Sequence, residues 1–297
     1  MAKTLPKYPI YIPSKGRAEI SMTGKFLVAD GTPFCFVVEP QERDTYVKKW
    51  GAEHVLTLPE NDQGLIYSRN WIWQHSVLAG AERHWQIDDN INRIRLMRGT
   101  KRIPVNSAIA FRACEDFTDR YENVALSGLN YTMFLPPNAY RAPFILNAHV
   151  YSCTLILNSL PYRFRPPANE DVDMCLQVLS GGWCTIQFCL FNCEKRPTMK
   201  VKGGQTDSAY LGDGRLFMAR QLERVWPGVV ETKRRYNRPQ HVIRDGWKKF
   251  DTPLRYKPGI KKEDFTENDY GLKLLQIGPI ESPRLKEFIE QHEAKKK

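Results

Sequence analysis

Three carboxylates fall within four residues at Glu170-Asp171-Val172-Asp173. They open a stretch in which Val172, Cys175, Leu176 and Leu179 recur at helical spacing, so the acids occupy a helix's first turn. Acids there stabilise the helix through its dipole. The functional alternative is that one of them faces a sheet edge and acts as a general base. A second constellation, Trp85-Gln86-Ile87-Asp88-Asp89-Asn90, is an apolar strand ending in two carboxylates and an amide. Those are hard oxygen ligands suited to Mg²⁺ or Mn²⁺ with substrate phosphates, unless the turn is simply solvated. A third, Tyr11-Ile12-Pro13-Ser14-Lys15-Gly16-Arg17, follows the first strand and combines backbone donors with two cations. That combination suits a nucleotide or phosphate at the carboxyl end of an α/β sheet, though basic surface turns also look this way. The loop Lys202-Gly203-Gly204-Gln205-Thr206-Asp207 either closes over a diphosphate or is a plain turn.

Elements must exist to position these groups. Short apolar runs at Tyr8–Ile12, Pro33–Val38, His54–Leu58 and His84–Ile87 are separated by segments long enough for helices. They predict βαβ units and a largely parallel sheet. Further strand-like runs lie at Val124–Ser127, Ile145–Leu157 and Trp183–Phe191. One helix is expected over Leu65–Ala79, with Ile66, Trp73 and Val77 on one side, Asn61 and Asp62 before it and Gly80 after it. A second is expected over 170–180, with Asn169 as N-cap and Gly181-Gly182 as the stop. A short amphipathic helix is expected near Pro283–Gln291, ahead of Lys295-Lys296-Lys297.

The chain has 297 residues, of which 42% are hydrophobic and 26% charged, so disorder of the whole chain is excluded. No apolar run is long enough for a transmembrane helix, and Met1 to Lys7 is too polar for a signal peptide. Seven scattered cysteines, with no paired C-x-x-C, read as buried thiols of a reducing cytoplasm. His149 and His241 are single histidines and read as structural. The net charge is +11, and residues 231–297 alone hold 17 Lys+Arg against 11 Asp+Glu. That density suits a polyanionic partner, or a solvated basic surface.

Taken in order, these segments resemble the GT-A nucleotide-sugar glycosyltransferases, and most closely the bacteriophage TET/JBP-associated glycosyltransferases of hydroxymethylated pyrimidines in DNA. The resemblance rests on Glu170–Leu176 followed by Gly181-Gly182-Trp183, on Ile87–Asn90 in the place of a D-x-D motif, and on Gly64 through Arg69-Asn70. Asn90 stands where the strict pattern has its second acid. The resemblance implies an α/β, Rossmann-like GT-A fold. Its mixed, mainly parallel sheet would be flanked by helices over residues 1–220. The basic composition beyond it, which matches none of these motifs, marks residues 221–297 as a C-terminal extension. It implies a UDP-sugar donor bound by Pro13, Ser14, Lys15, Gly16, Arg17, Glu39, Arg69, Asn70, Asp88, Lys202, Gly203 and Gly204. It further implies Mn²⁺ or Mg²⁺ on Asp89 with Asp88 or Asn90, and Asp171 as base beside Glu170, with inversion at the anomeric carbon.

The implied acceptor is double-stranded DNA carrying 5-hydroxymethylcytosine or hydroxymethyluracil. It would be reached in the groove or by flipping the nucleotide, in the host cytoplasm if the chain is phage-encoded. Backbone contacts would come from Arg93, Arg95, Arg98, Lys101 and Arg102, and from Lys233, Arg234, Arg235 and Arg238, with Tyr236 stacking on a base. A GT-A enzyme for a glycan, protein or small-molecule acceptor, and an inactive DNA-binding module, are the alternatives.

Overall fold

A computed structural model describes residues 4–135, 142–165, 169–195, 213–235 and 237–261. The expected Lys202–Asp207 loop with Lys202, Gly203 and Gly204, Tyr236, the helix expected near Pro283–Gln291 and the terminal lysines lie outside them. In chain order the elements are β1 (Ile10–Pro13), α1 (Met22–Asp30), β2 (Cys35–Val38), α2 (Arg43–Trp50), β3 (Val55–Thr57) and α3 (Gly64–Leu78). Next come β4 (Arg83–Ile87), β5 (Ile91–Arg98), β6 (Lys101–Pro104), α4 (Ser107–Thr118), β7 (Val124–Tyr131), β8 (Phe144–Leu146) and β9 (Cys153–Leu157). The described chain closes with α5 (Glu170–Ser180), β10 (Cys184–Lys195), α6 (Gly214–Val225), β11 (Val230–Arg235) and β12 (Arg238–Ile243).

Ten strands form one sheet in the order β3-β2-β1-β4-β9-β7-β10-β5-β6, with β8 added on β10. The first four strands pair in parallel, as their helix-length spacers require. The strand β9 runs antiparallel between β4 and β7, and β10 returns parallel to β7. Seven of the ten strands therefore point one way, and β1, β2, β4, β7 and β10 end on a common edge. The expected α/β sheet flanked by helices is what forms.

Alternation along the strands builds two cores. Ile10, Ile12, Phe36, Val38, Trp85 and Ile87 face Leu27 of α1, Tyr46 of α2 and Phe111 and Cys114 of α4. Tyr11 and Val37 face the other side, with Ile72 of α3. On that side Trp73 of α3 and Met174, Cys175 and Val178 of α5 cover Leu126 and Ile156. The buried face of α3 is Arg69, Ile72, Trp73 and Ser76, whereas Val77, expected inward, is 44% exposed. The Ile145–Leu157 run is split into β8 and β9, because Asn147 and Ser152 take left-handed backbone (φ 53° and 57°) that no strand continues through. Gly128 lets β7 and β9 approach, since a Cβ there would lie 2.3 Å from the Cys153 carbonyl oxygen.

Residue 220 lies inside α6, and Leu222, Val230 and Ile243 share an apolar cluster with Val172 and Leu176 of α5. The basic β11–β12 hairpin is thus packed on the helix that carries the acidic triad. All seven cysteines are free and six are buried. Among the described residues no helix is long and apolar enough to cross a membrane.

His84 on β4 is fully buried, its Nδ1 2.6 Å from Asn158 Oδ1 and its Nε2 3.0 Å from Gln86 Nε2. Burial outweighs the Asn158 contact and pulls its pKa from 6.5 down to about 3. The unfolded chain takes up a proton near pH 6.5 that the folded protein refuses. Stability from this group is therefore complete above that pH and lost as pH falls toward 3, by about 1.4 kcal/mol per unit. In urea titrations, wild type is expected to lose about 2 kcal/mol more between pH 7 and pH 5 than His84→Gln does. Equal losses would contradict the assignment.

Candidate active site

The shared strand edge gathers the functional groups, as open α/β sheets do at their carboxyl ends. At the end of β1, Ser14 Oγ donates to Asp89 Oδ2 at 2.6 Å and meets Tyr46 OH at 2.7 Å. The Arg17 guanidinium lies 2.6 Å from Asp89 Oδ1. Burial raises the Asp89 pKa, only partly opposed by Arg17 and Ser14. Lys15 bridges Glu39, at the end of β2, and Asp62, at 2.8 and 2.6 Å. Pro13 and Gly16 (φ 68°) shape this turn, and the Gly16 amide donates to Glu42 Oε1 at 2.6 Å.

Asp88 follows β4 and faces the opposite way from Asp89. Its Oδ2 accepts from Lys195 Nζ at 2.6 Å and Ser152 Oγ at 2.7 Å, and its Oδ1 is 3.5 Å from Arg69. Burial alone would raise its pKa, but Lys195 and Arg69 hold it below the ordinary value. Ser152, in left-handed backbone, also accepts the Asp88 amide at 2.7 Å. Strain of this kind collects at functional sites.

Arg69 is the joint of the site. Buried on α3, it reaches Asp88 and, at 3.3 Å, Glu170 at the start of α5. Gln86 holds it by accepting from Nη1 at 3.2 Å and donating to the Arg69 carbonyl at 3.0 Å. Asn70, expected to touch nucleotide, instead spends both ends of its amide on the Phe164 backbone, at 2.7 and 3.0 Å. It positions the segment leading into α5.

The three acids of α5 divide their work. Glu170 is nearly enclosed, and burial, only partly offset by Arg69, raises its pKa. Asp171 is 35% exposed and lies 3.2 Å from His149 Nε2. Burial would raise its pKa, yet His149 and the Val172 amide hold it well below the carboxylate range. His149, expected to be structural, stacks on Trp247 and meets Tyr151 edge-on, so the chain beyond β12 reaches the site. His241 also senses Asp171 and His149, although burial dominates and lowers its pKa. Asp173 points away and accepts from Arg165 at 2.9 Å, Gln177 at 2.8 Å and the Trp226 indole at 2.7 Å. Asn169 sits at the N-cap position without capping, and its side chain donates to the Met218 carbonyl at 3.1 Å.

Asp173→Ala is expected to cost about 3 kcal/mol, mostly from the stranded Trp226 N–H, because half-exposed Arg165 regains water. Chemical denaturation checks this. A cost below about 0.5 kcal/mol would show that the tie to Trp226 contributes nothing.

The acids after β4 do not fit a divalent cation as they stand. Every carboxylate oxygen of Asp88 and Asp89 already faces a cationic or hydroxyl group. Among Asp88, Asp89 and Asn90, only Asn90 Oδ1 is a buried acceptor without a donor, and one amide oxygen is not a metal site. Among the described residues no group of three or more His, Cys, Asp or Glu is arranged to hold a metal ion. This differs from the expected use of Asp89 and Asn90.

The basic residues after Asn90 form the β5–β6 hairpin. Arg93, Arg98 and Lys101 are exposed, whereas Arg95 pairs with Glu194 at 2.8 Å and Arg102 donates to the Leu135 carbonyl at 3.1 Å. Lys233, Arg234, Arg235 and Arg238 are exposed on the β11–β12 hairpin, with Lys233 ion-paired to Glu231. Lys195 escapes sequence reading, since it lies in no motif, and His149 reads as structural there because a single histidine carries no motif either.

The profile of the TET-Associated Glycosyltransferase family matches residues 8–204, two strands short of the whole sheet-and-hairpin arrangement. The chain belongs to the TET-associated glycosyltransferase family. It is therefore a glycosyltransferase. Among solved structures, this TET-associated glycosyltransferase is similar to a protein of Desulfovibrio desulfuricans G20 assigned as a nucleotide-diphospho-sugar transferase. The two share 9% identity with a TM-score of 0.36, over 62% of this chain and 80% of that one. No curated protein matches.

Proposed function

We propose that this enzyme moves a sugar from a UDP-sugar to the hydroxymethyl group of 5-hydroxymethylcytosine or hydroxymethyluracil in DNA, inverting the anomeric carbon. One observation carries the reading: Arg69 spans Asp88 and Glu170, so the strand-end acids and the acids of α5 belong to a single site. The nucleotide lies over the ends of β1, β2 and β4, where Ser14, Lys15, Arg17 and Glu39 meet its base, ribose or phosphates. Asp171 stands on the acceptor side. It stays ionised at working pH and takes the proton of the attacking hydroxyl as the new bond to the anomeric carbon forms. The bond to the nucleotide breaks on the opposite face and its electrons leave with UDP, which gives inversion. The metal implied by the family resemblance enters no step, because its expected ligands are engaged.

DNA is the acceptor class favoured by the exposed cations of the two hairpins, one before and one after Asp171 in sequence. The test is mass spectrometry of nucleosides digested from hydroxymethylcytosine and hydroxymethyluracil DNA after incubation with a panel of UDP-sugars. A pentose or hexose increment on one modified base is the expected outcome. Its absence with every donor, while UDP still binds, would point to a different acceptor.

A further inference from the structure

Lys195, the last residue of β10, belongs to none of the motifs read from the sequence, yet its ammonium sits at the centre of the site. Its Nζ donates to Asp88 Oδ2 at 2.6 Å, to Ser152 Oγ at 2.8 Å and to Tyr131 OH at 3.1 Å. The side chain is only 12% exposed, and a lysine is so enclosed only when it is paired. Burial would lower its pKa, but Asp88 and Tyr131 outweigh burial and hold it charged. Beside it opens a cavity of about 450 Å³ whose wall also carries Arg95, Arg102 and Glu194. With Arg17 and Arg69, Lys195 surrounds the strand-end acids with fixed positive charge where a metal-dependent transferase would place its ion.

Building on the donor reading above, we propose that Lys195, rather than a divalent metal, is the cation that receives the diphosphate charge as the sugar leaves. The anomeric C–O bond breaks with its electron pair going to the diphosphate oxygen. The acceptor oxygen bonds the anomeric carbon, and its proton goes to Asp171. Lys195 keeps all three protons throughout. It exchanges its longest contact, to Tyr131, for a phosphate oxygen. Tyr131 retains Ser152 as a hydrogen-bond partner, and Asp88 keeps the ammonium in place. A preorganised donor aimed at developing charge needs no reorganisation at the moment of reaction.

The test compares wild type, Lys195→Arg and Lys195→Ala in EDTA and in Mn²⁺, reading UDP affinity by calorimetry, kcat with the DNA acceptor, and Mn²⁺ binding by electron paramagnetic resonance. Wild type is expected to bind UDP and turn over within about 2-fold in the two buffers, and to take up no Mn²⁺ with UDP present. Lys195→Ala is expected to lose about 100-fold or more in kcat, with Lys195→Arg retaining an intermediate rate. Because Lys195→Ala leaves Asp88 with only Ser152 and the more distant Arg69 as partners, the double variant Lys195→Met with Asp88→Asn, compared with Asp88→Asn alone, separates loss of the fold from loss of the cation. A kcat in that folded double variant well below that of folded Asp88→Asn supports the proposal, and equal rates in the two would overturn it. Wild-type turnover that vanishes in EDTA, stoichiometric Mn²⁺ uptake with UDP, or an unchanged kcat in folded Lys195→Ala would each overturn it. Absence of UDP binding in both buffers would overturn the donor reading, and this proposal with it.

Discussion

Asp171→Asn is expected to lower the transfer rate by about 1,000-fold or more, the upper range for removal of a general base. Asparagine preserves the shape of the side chain and can still accept from the Val172 amide, now 2.8 Å from Asp171 Oδ1. The variant should therefore fold, with a denaturation midpoint lowered by loss of the His149 interaction, and on the proposed donor placement over other strands it should still bind UDP. What it loses is the anion that, in the proposed mechanism, receives the acceptor's proton. His149 at 3.2 Å keeps that anion ionised, so the wild-type rate should change little between pH 6 and 8 on account of this group. Single-turnover kinetics with saturating donor give the measurement. A rate within about 10-fold of wild type would remove Asp171 from the base role.

The second large effect is on DNA. Lys233, Arg234 and Arg235 are consecutive exposed residues of β11, and Arg238 stands opposite Arg235 in the hairpin register. Alternation sends Lys233 and Arg235 to one face and Arg234 to the other, so the ribbon presents cations on both sides. A two-stranded ribbon is narrow enough for the major groove, where a 5-hydroxymethyl group lies. Replacing all three with alanine is expected to weaken DNA binding about 100-fold at physiological salt and to flatten the slope of log K against log salt by about 2 to 3. Lys233 contributes least, since Glu231 already pairs with it. UDP binding should be unaffected. Fluorescence anisotropy across a salt series would show an unchanged slope if the hairpin does not meet phosphates.

Several groups could be recognised from local signals. The first four strands and the helices α3 and α5 emerge where apolar residues keep a period of two or of 3.6. The acids of α5, the acids after β4 and the Ser14–Arg17 turn were visible because a motif is a run of neighbours. Val77 was misplaced for the same reason: its apolar character suggested burial, but the helix turns Arg69 and Ser76 inward instead. A buried arginine has no periodic signature, because its stability there comes from partners on other elements.

The sequence by itself determined the α/β alternation, the family and the carboxylates available for chemistry, since each depends on residues within about ten positions of one another. The tertiary structure alone decided which partner each carboxylate meets. Asp173 is occupied by Trp226 and Asp171 by His149, and Asp88 meets Lys195 across 107 residues of chain. That last meeting depends on β10 lying beyond β9 and β7 from β4, and on the irregular register between Phe188 and Asn192 that sets where β10 ends. Strand order and bulges follow from packing the whole sheet between its helices, and no local pattern of residues encodes them.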